Sequence, residues 1–406
     1  MLAALAWRNL WRQPHRTALS ILSIAFTSAL LVFVLSFQLG VYSLMKTNVL
    51  RIFDGFAQLQ AQGYAADPDM HKTIARPGVL AADLRTIGGI DAAAPRIMTF
   101  AILSHGNRSF GSAVIGVDPA NEPLVSTLAR TVHTGRYLEP GDSDAAVIGE
   151  GLARDLGLGL GDKVTLLGSG YDGSVSADVL RVVGIFRSGM GDLDRQMLEM
   201  PLARAQETFA LGDRANTVAL AGPTLSGVNS ALPNVTKLAR HHGVDVADWI
   251  ALEPSLNDTI TLKIITAAMM YATLVAVVVF IILNTLLMSV LERTREFGVL
   301  LALGIRPGHV GSMVWLELIA LALMGTILGV VFGAAVTLYF QHQGISYAGF
   351  SSILAQLGLP NRLYPVLSVE SVLIGPGAIL VSIMVAGLVP YIHVRRLEAA
   401  SAMRAS

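Results

Sequence analysis

Between Arg16 and Lys46 the chain carries no charged side chain, and between Lys263 and Glu292 it again carries none. Two further stretches follow, residues 312–340 with a single acid, Glu317, and residues 371–394 with none. A hydrocarbon core of about 30 Å is crossed by roughly 20 apolar residues in a helix, which satisfies every backbone polar group within the segment. Residues 17–45, 264–291, 312–340 and 371–394 therefore read as four transmembrane helices. The first is about twice the length of a secretory signal core and is followed by no small-residue cleavage pattern, so it is expected to stay as an anchor. Composition agrees: 53% of residues are hydrophobic and 14% charged, where soluble domains carry roughly a quarter charged. Lys plus Arg and Asp plus Glu number 29 each. No cation surplus exists for phosphates, so no nucleic-acid partner is expected. The absence of cysteine removes disulfides, thiolate metal sites and cysteine nucleophiles together.

Orientation follows from the basic flanks, which are retained on the cytoplasmic side. Arg8, Arg12 and Arg16 precede the first stretch, Arg293, Arg295 and Arg306 lie between the second and third, and Arg395, Arg396 and Arg404 follow the fourth. Residues 347–370 hold only Arg362. The expected order is a cytoplasmic or interfacial helix at residues 1–16, helix one at 17–45 and an extracytoplasmic, periplasmic α/β domain at 46–263. Helix two at 264–291, a cytoplasmic connection at 292–311 and helix three at 312–340 come next. An outer loop at 341–370, helix four at 371–394 and a cytoplasmic tail at 395–406 complete it. The fold class is an α-helical membrane protein with four transmembrane helices and a large extracytoplasmic α/β domain inserted between helices one and two.

The inserted segment holds 19 basic and 24 acidic residues and is long enough for its own core. Val79, Leu80, Asp83, Leu84 and Ile87 keep a helical spacing. Residues 95–105 and 109–117 read as two strands turning at Gly106-Asn107. Residues 145–148, 164–167 and 179–186 are strand-like, residues 150–156 helical, and Pro201 opens a short helix that ends near Phe209.

Several motifs carry competing readings. Glu292-Arg293-Thr294-Arg295-Glu296-Phe297-Gly298, continuing to Gly304, mixes paired charges with apolar residues. It suits either a short helix docking on a cytosolic partner or a solvated connector. Gly325, Gly329 and Gly333 share one helix face and allow close packing, within the chain or across a dimer. Glu317 is an intramembrane charge that either finds a structural partner and snorkels or takes part in coupling. Gly157 to Lys163 lacks the ending a P-loop needs, and Gly168, Gly170 and Gly173 read as a glycine-rich β-turn. His241-His242 has no spaced third ligand. No catalytic residue and no metal site is expected.

The run ERTREFGVLLALGIRPGHV resembles the cytoplasmic loop of ABC-transporter permeases of the MacB, LolC/LolE and FtsX type, the mechanotransmission superfamily, which reads close to ERxREIGxxxAxG. AWRNLWRQPHRTALSILSIAF, VIGEGLARDLGLGLGDKVTLL and VVGIFRSGMGDLDRQMLEMPLARAQETF are similar to the same superfamily, and the order of elements agrees along essentially the whole chain. Within it, GIFRSGMGDLDRQMLEMPL looks most like LolC/LolE. Two stretches depart from that pattern: Gly191 to Gln196 stand where a tyrosine-rich YEYDSS is usual, and RRLEAASAMR lacks a common proline.

The resemblance implies a dimer, homo- or heteromeric, of permease subunits. Two copies of a cytosolic ABC ATPase would engage it through Glu292, Arg293, Arg295, Glu296, Phe297, Gly298 and Gly304. No cofactor would be bound by this chain, ATP and Mg belonging to the partner ATPase, and the chain itself would not be an enzyme. A periplasmic carrier or adaptor and membrane lipid are further expected partners. Phe33, Phe37 and Tyr42 against Met269, Met270 and Tyr271 are expected to line a cavity for acyl chains. The implied activity is mechanical extrusion of a lipophilic substrate, foremost lipoprotein release from the bacterial inner membrane. Its alternatives are FtsX-like activation of an outer enzyme and MacB-like export of small molecules or peptides.

Overall fold

The computed structural model describes residues 8–12, 14–346 and 362–395. Parts of the expected segments 1–16, 341–370 and 395–406 lie outside the described residues. The chain divides into two compact units, one holding the apolar helices and the other residues 43–259.

Helix α1 (Pro14–Ile52) is 39 residues long and runs seven residues past the apolar stretch that announced it. Helix propagation needs only backbone hydrogen bonds, so a change from apolar to polar residues does not end it. From Ser43 onward its residues belong to the inserted unit, where Leu50, Ile52 and Phe53 are buried.

The inserted unit has twelve strands: β1 (Ala57–Ala61), β2 (Ile74–Ala75), β3 (Ala92–His105), β4 (Arg108–Val117), β5 (Val132–Gly135), β6 (Ala145–Gly149), β7 (Lys163–Ser169), β8 (Val175–Phe186), β9 (Met197–Pro201), β10 (Arg214–Ala215), β11 (Thr217–Ala221) and β12 (Val244–Asp248). Ten of them form one mixed sheet in the order β12-β1-β11-β3-β4-β9-β6-β8-β5, with β7 pairing β3 and β8, while β2 pairs β10 separately. The β4·β9 and β6·β8 pairs are parallel. In β8 burial alternates strictly at first, as a half-buried strand requires. Residues 92–97 of β3 are all buried, so this strand begins three residues before Pro95 and is covered on both faces. His105 pairs with Arg108, leaving the two-residue loop Gly106-Asn107. A tight hairpin of this kind needs a positive φ, supplied by Gly106 at +55°. Gly157 at φ +72° ends the helix Glu150–Leu156, and Gly173 at +81° turns β7 into β8, so neither glycine-rich run forms a phosphate loop. Pro201 ends β9 and caps a helix at Leu202–Thr208 rather than opening it from within. Helix α2 (Leu225–His242) carries His241 and His242 in its last turn, and His242 lies 3.9 Å from Asp83.

The remaining helices are α3 (Pro254–Glu292), α4 (Thr294–Ala302), α5 (Pro307–Gln343), α6 (Val369–Ala386) and α7 (Leu388–Arg395). Among the described residues four helical spans, α1, α3, α5 and the pair α6–α7, are long and apolar enough to cross a membrane. Ile24 and Leu31 of α1 meet Val275, Ile282 and Leu286 of α3, Leu318 and Ala322 of α5, and Ile379 and Ile383 of α6. Without a hydrophobic drive between helices in lipid, close approach of backbones carries such packing. Gly325, Gly329 and Gly333 supply it: a Cβ at Gly325 would stand 2.6 Å from Ile24 Cβ, one at Gly329 would strike Ala25 and Ser28, and one at Gly333 would lie 2.8 Å from Ala29 Cα. The stripe therefore packs α5 against α1 of its own chain. Gly375 meets Leu31 and Leu35 in the same way, and Gly387, between α6 and α7, lets Leu318 and Trp315 approach.

Candidate coupling segment and intramembrane groove

The connection between α3 and α5 is itself a helix, α4, ended by Gly304 at φ +89°. Its sequence alternates because its two faces differ. Phe297, 1% exposed, packs with Val290, Val310, Met313, Val314 and Val394, and Gly298 is buried beside it. The other face and the following turn expose Val299, Leu303 and Ile305, with Leu303 76% exposed. Arg295 is exposed as well. An exposed apolar row bordered by charge is the surface a helix presents to a partner groove.

The charges around α4 are joined to one another. Arg16 reaches Glu292 at 2.8 Å and also donates to the carbonyl of Thr285. Arg12 lies 3.3 Å from Glu296, which is 3.5 Å from Arg293. Arg293 in turn lies 3.3 Å from Glu317 and over the ring of Phe297. Glu317 therefore has a defined partner inside the protein.

A groove of about 660 Å³ lies among α1, α3 and α6, within the size range of small-molecule sites. Leu31, Leu35, Leu39, Val275, Val279 and Ile374 give it apolar walls, and Ala267, Ala268 and Ala272 leave the space. Glu370, Ser371 and Ser382 add polar groups to its lining, and a hydrogen-bonded chain runs along it in which Tyr271 donates to Gln38 Oε1 at 2.7 Å and the Gln38 amide donates to Tyr42.

Tyr42 and Tyr271 thus line this groove, whereas the other four expected lining residues do not. Phe33 stacks near Phe37 and edges onto Phe340 of α5, at centroid distances of 6.4 and 5.8 Å. Their helical face turns toward α5, a half turn from the face that carries Leu31, Leu35 and Gln38. Met269 and Met270 point outward, 68% and 59% exposed. Gln38 was the missed residue, and an amide amid apolar residues four positions before a tyrosine was its signal.

The sequence reading also missed a buried polar cluster in the inserted unit. Arg96, Glu122 and Glu199 are all 0% exposed. Arg96 donates to Glu122 at 2.6 and 3.0 Å and to the carbonyl of Phe53 at 2.6 Å. Tyr137 donates to Glu199 at 2.6 Å. Burial, reinforced by Glu122, pushes the Glu199 carboxyl up to about 8. Burial and then Glu253 push Asp54 up to about 7. No group of three or more His, Cys, Asp or Glu among the described residues is placed to hold a metal.

The family description "MacB-like periplasmic core domain" matches residues 17–231, more than half of the chain, and "FtsX-like permease C-terminal" matches residues 268–399. A lipoprotein-releasing system transmembrane protein LolC of Neisseria meningitidis serogroup B is 25% identical over 309 residues, 73% of this chain and 74% of its own. LolC of Xylella fastidiosa is 24% identical over 401 residues, 95% of this chain and 92% of its own. A macrolide export ATP-binding/permease protein MacB of Yersinia pestis is 26% identical over 353 residues, 81% of this chain and 49% of that protein.

Proposed function

The chain belongs to the ABC-transporter permease family that joins a MacB-like periplasmic core domain to an FtsX-like C-terminal half, and from that premise we propose that it releases a lipid-anchored substrate from the bacterial inner membrane. In this reading both termini are cytoplasmic, the inserted unit is periplasmic, and ATP hydrolysis with its Mg belongs to a separate cytosolic subunit. Two permease copies and two ATPase copies form the working unit. The cytosolic subunit docks on Val299, Leu303 and Ile305 of the α4 region, whose apolar exposure is otherwise costly beside water.

The observation that carries the substrate class is the groove among α1, α3 and α6. Its walls suit acyl chains, and the Tyr271, Gln38 and Tyr42 chain offers hydrogen bonds where a chain meets its polar linkage. LolC relatives are named for lipoprotein release, which agrees with an acylated cargo.

The test is co-purification of the full chain with its ATP-binding subunit in lipid nanodiscs, with ATP hydrolysis measured with and without acylated lipoprotein. Retained cargo and altered turnover are the expected result. Ala272→Trp, which fills the groove, should abolish the response to cargo while the ATPase stays bound. An assembled ATPase that neither retains nor answers acylated cargo overturns lipoprotein release and leaves small-molecule export or activation of an outer enzyme.

A further inference from the structure

Six charged side chains gather where α1, α3, α4 and α5 converge, three arginines and three glutamates, and they differ in exposure. The Arg12–Glu296 pair stands 63% and 51% exposed, whereas the Arg293–Glu317 pair stands 15% and 14% exposed. Exposed pairs of this kind contribute little, being screened and entropically costly. A shielded pair is different: removing one partner strands a charge away from water. Position on α5 gives the pair its meaning. Glu317 lies ten residues inside α5, away from the turn at Gly304, so Arg293 reaches from the α3–α4 joint into the helix bundle.

Arg293 is also shared. It stands 3.5 Å from Glu296, on α4 itself, and 3.3 Å from Glu317, on α5. Its guanidinium lies 5.3 Å from the centroid of the Phe297 ring, which is plugged between Val310 and Val314 of α5. Phe297, with the half-buried Leu300 and Leu301 beside it, gives α4 a purely apolar hold, about which a short helix can rock. With a second, charged attachment one turn away, its angle is fixed.

We propose that Glu317 is a positioning residue: through Arg293 it fixes the angle of α4 against α5, and the shared guanidinium is the joint at which displacement of α4 by a docked ATPase passes to the membrane helices. The proposal rests on the coupling reading of α4 given above. In this arrangement a small movement of α4 shifts Arg293 from two carboxylates toward one. Glu317 then gains or loses its counter-charge at a largely shielded position on the wall of a cavity of about 220 Å³, so that the movement is felt along α5 and, through the glycine stripe, by α1.

The chain contains no cysteine, so spin labels can be placed without removing a native thiol. Labels at Ala302→Cys and Ile327→Cys, on exposed sites of α4 and α5, report the distance between these helices in the full chain in nanodiscs. One narrow distance distribution is expected in the parent, a broadened or two-peaked one in Glu317→Gln, and a narrower one again in Glu317→Asp, which keeps a carboxylate for Arg293. A distribution in Glu317→Gln as narrow as the parent's overturns the proposal. Should that variant fail to insert, Arg293→Gln decides alone, a broad distribution supporting the joint and one as narrow as the parent's overturning it.

The same variants are then assembled with the co-purifying ATPase. Glu317→Gln should retain the ATPase and lose cargo stimulation, and Glu317→Asp should recover stimulation. A merely structural role predicts equal loss of both and no rescue. Leu303→Asp tests the docking reading separately: an ATPase still retained by that variant refutes docking on α4, while the distance measurement continues to judge the joint.

Discussion

At the scale of single residues the most consequential chemistry is buried in the inserted unit, not in the groove. Arg96 is enclosed with Glu122 at hydrogen-bonding distance, and a buried ion pair is costly to break from one side. Arg96→Met should destabilise the inserted unit by about 3–5 kcal/mol by stranding Glu122, and adding Glu122→Leu should recover much of it. Thermal melts of the parent and the two variants check this. Glu199 and Asp54 give the unit a pH dependence of defined sign. Their folded pKa values, about 8 and about 7, lie above the ordinary carboxyl range of about 4. The folded state therefore holds more protons than the unfolded one between roughly pH 4.5 and 8, and stability falls as pH rises through that window. Glu199→Gln, which keeps the neutral form, should flatten the upper part of this decline. A melting temperature that rises from pH 5.5 to 8 would contradict the assignment. The sequence offered a hint in an arginine set within the apolar run Ala92 to Phe100. Its partners come from separate strands and loops, and no spacing rule brings those together.

At the scale of elements, periodicity told more about faces than about neighbours. The four-residue spacing of Gly325, Gly329 and Gly333 marked a close-packing face, but whether its partner was α1 or a second chain depends on how the helices assemble. The chain's own α1 fills that face. Gly329→Val should therefore break the α1–α5 contact and lower the melting temperature of the purified permease. By contrast Gly377→Ala, with open space around its position, should raise stability by about 0.5–1 kcal/mol through helix propensity. If both substitutions prove equally harmless, the stripe does not carry the packing. Phe33 and Phe37 illustrate the converse case. Size and aromaticity suggested a lining, but Phe33 turns onto Phe340 of α5, and the groove runs along the opposite face, where Leu31, Leu35 and Gln38 recur at the same helical period. Four long apolar stretches, one of them with a single acid, sufficed to count the spans, because a helix satisfies every backbone group within such a stretch. Their ends were less legible, since α1 and α3 continue as helices into residues of the inserted unit.

For the whole molecule, the division into two units has a thermodynamic consequence. The inserted unit has its own apolar core: Leu59, Leu80, Leu84 and Val235 pack on one part of the sheet, and Leu103, Leu166, Leu180 and Phe209 on another. The glycine stripe, the groove and the charges around α4 all belong to the other unit. Residues 43–259 expressed without the membrane helices should therefore fold as a soluble domain with a cooperative thermal transition. Arg96, Glu122, Glu199, Asp54, Glu253 and Tyr137 all lie inside this segment, so the fall in stability from pH 5.5 to 8 should persist in it, and so should its flattening by Glu199→Gln. Circular dichroism of the excised segment and of the full chain in nanodiscs, across that range, makes the comparison. If the segment unfolds or loses its pH dependence when excised, its core is incomplete without the membrane helices and the proton-linked cluster is not the property of one unit. If both persist, substitutions around Glu317 and in the groove can be judged by function alone, because the stability of the inserted unit is then set by residues they do not touch.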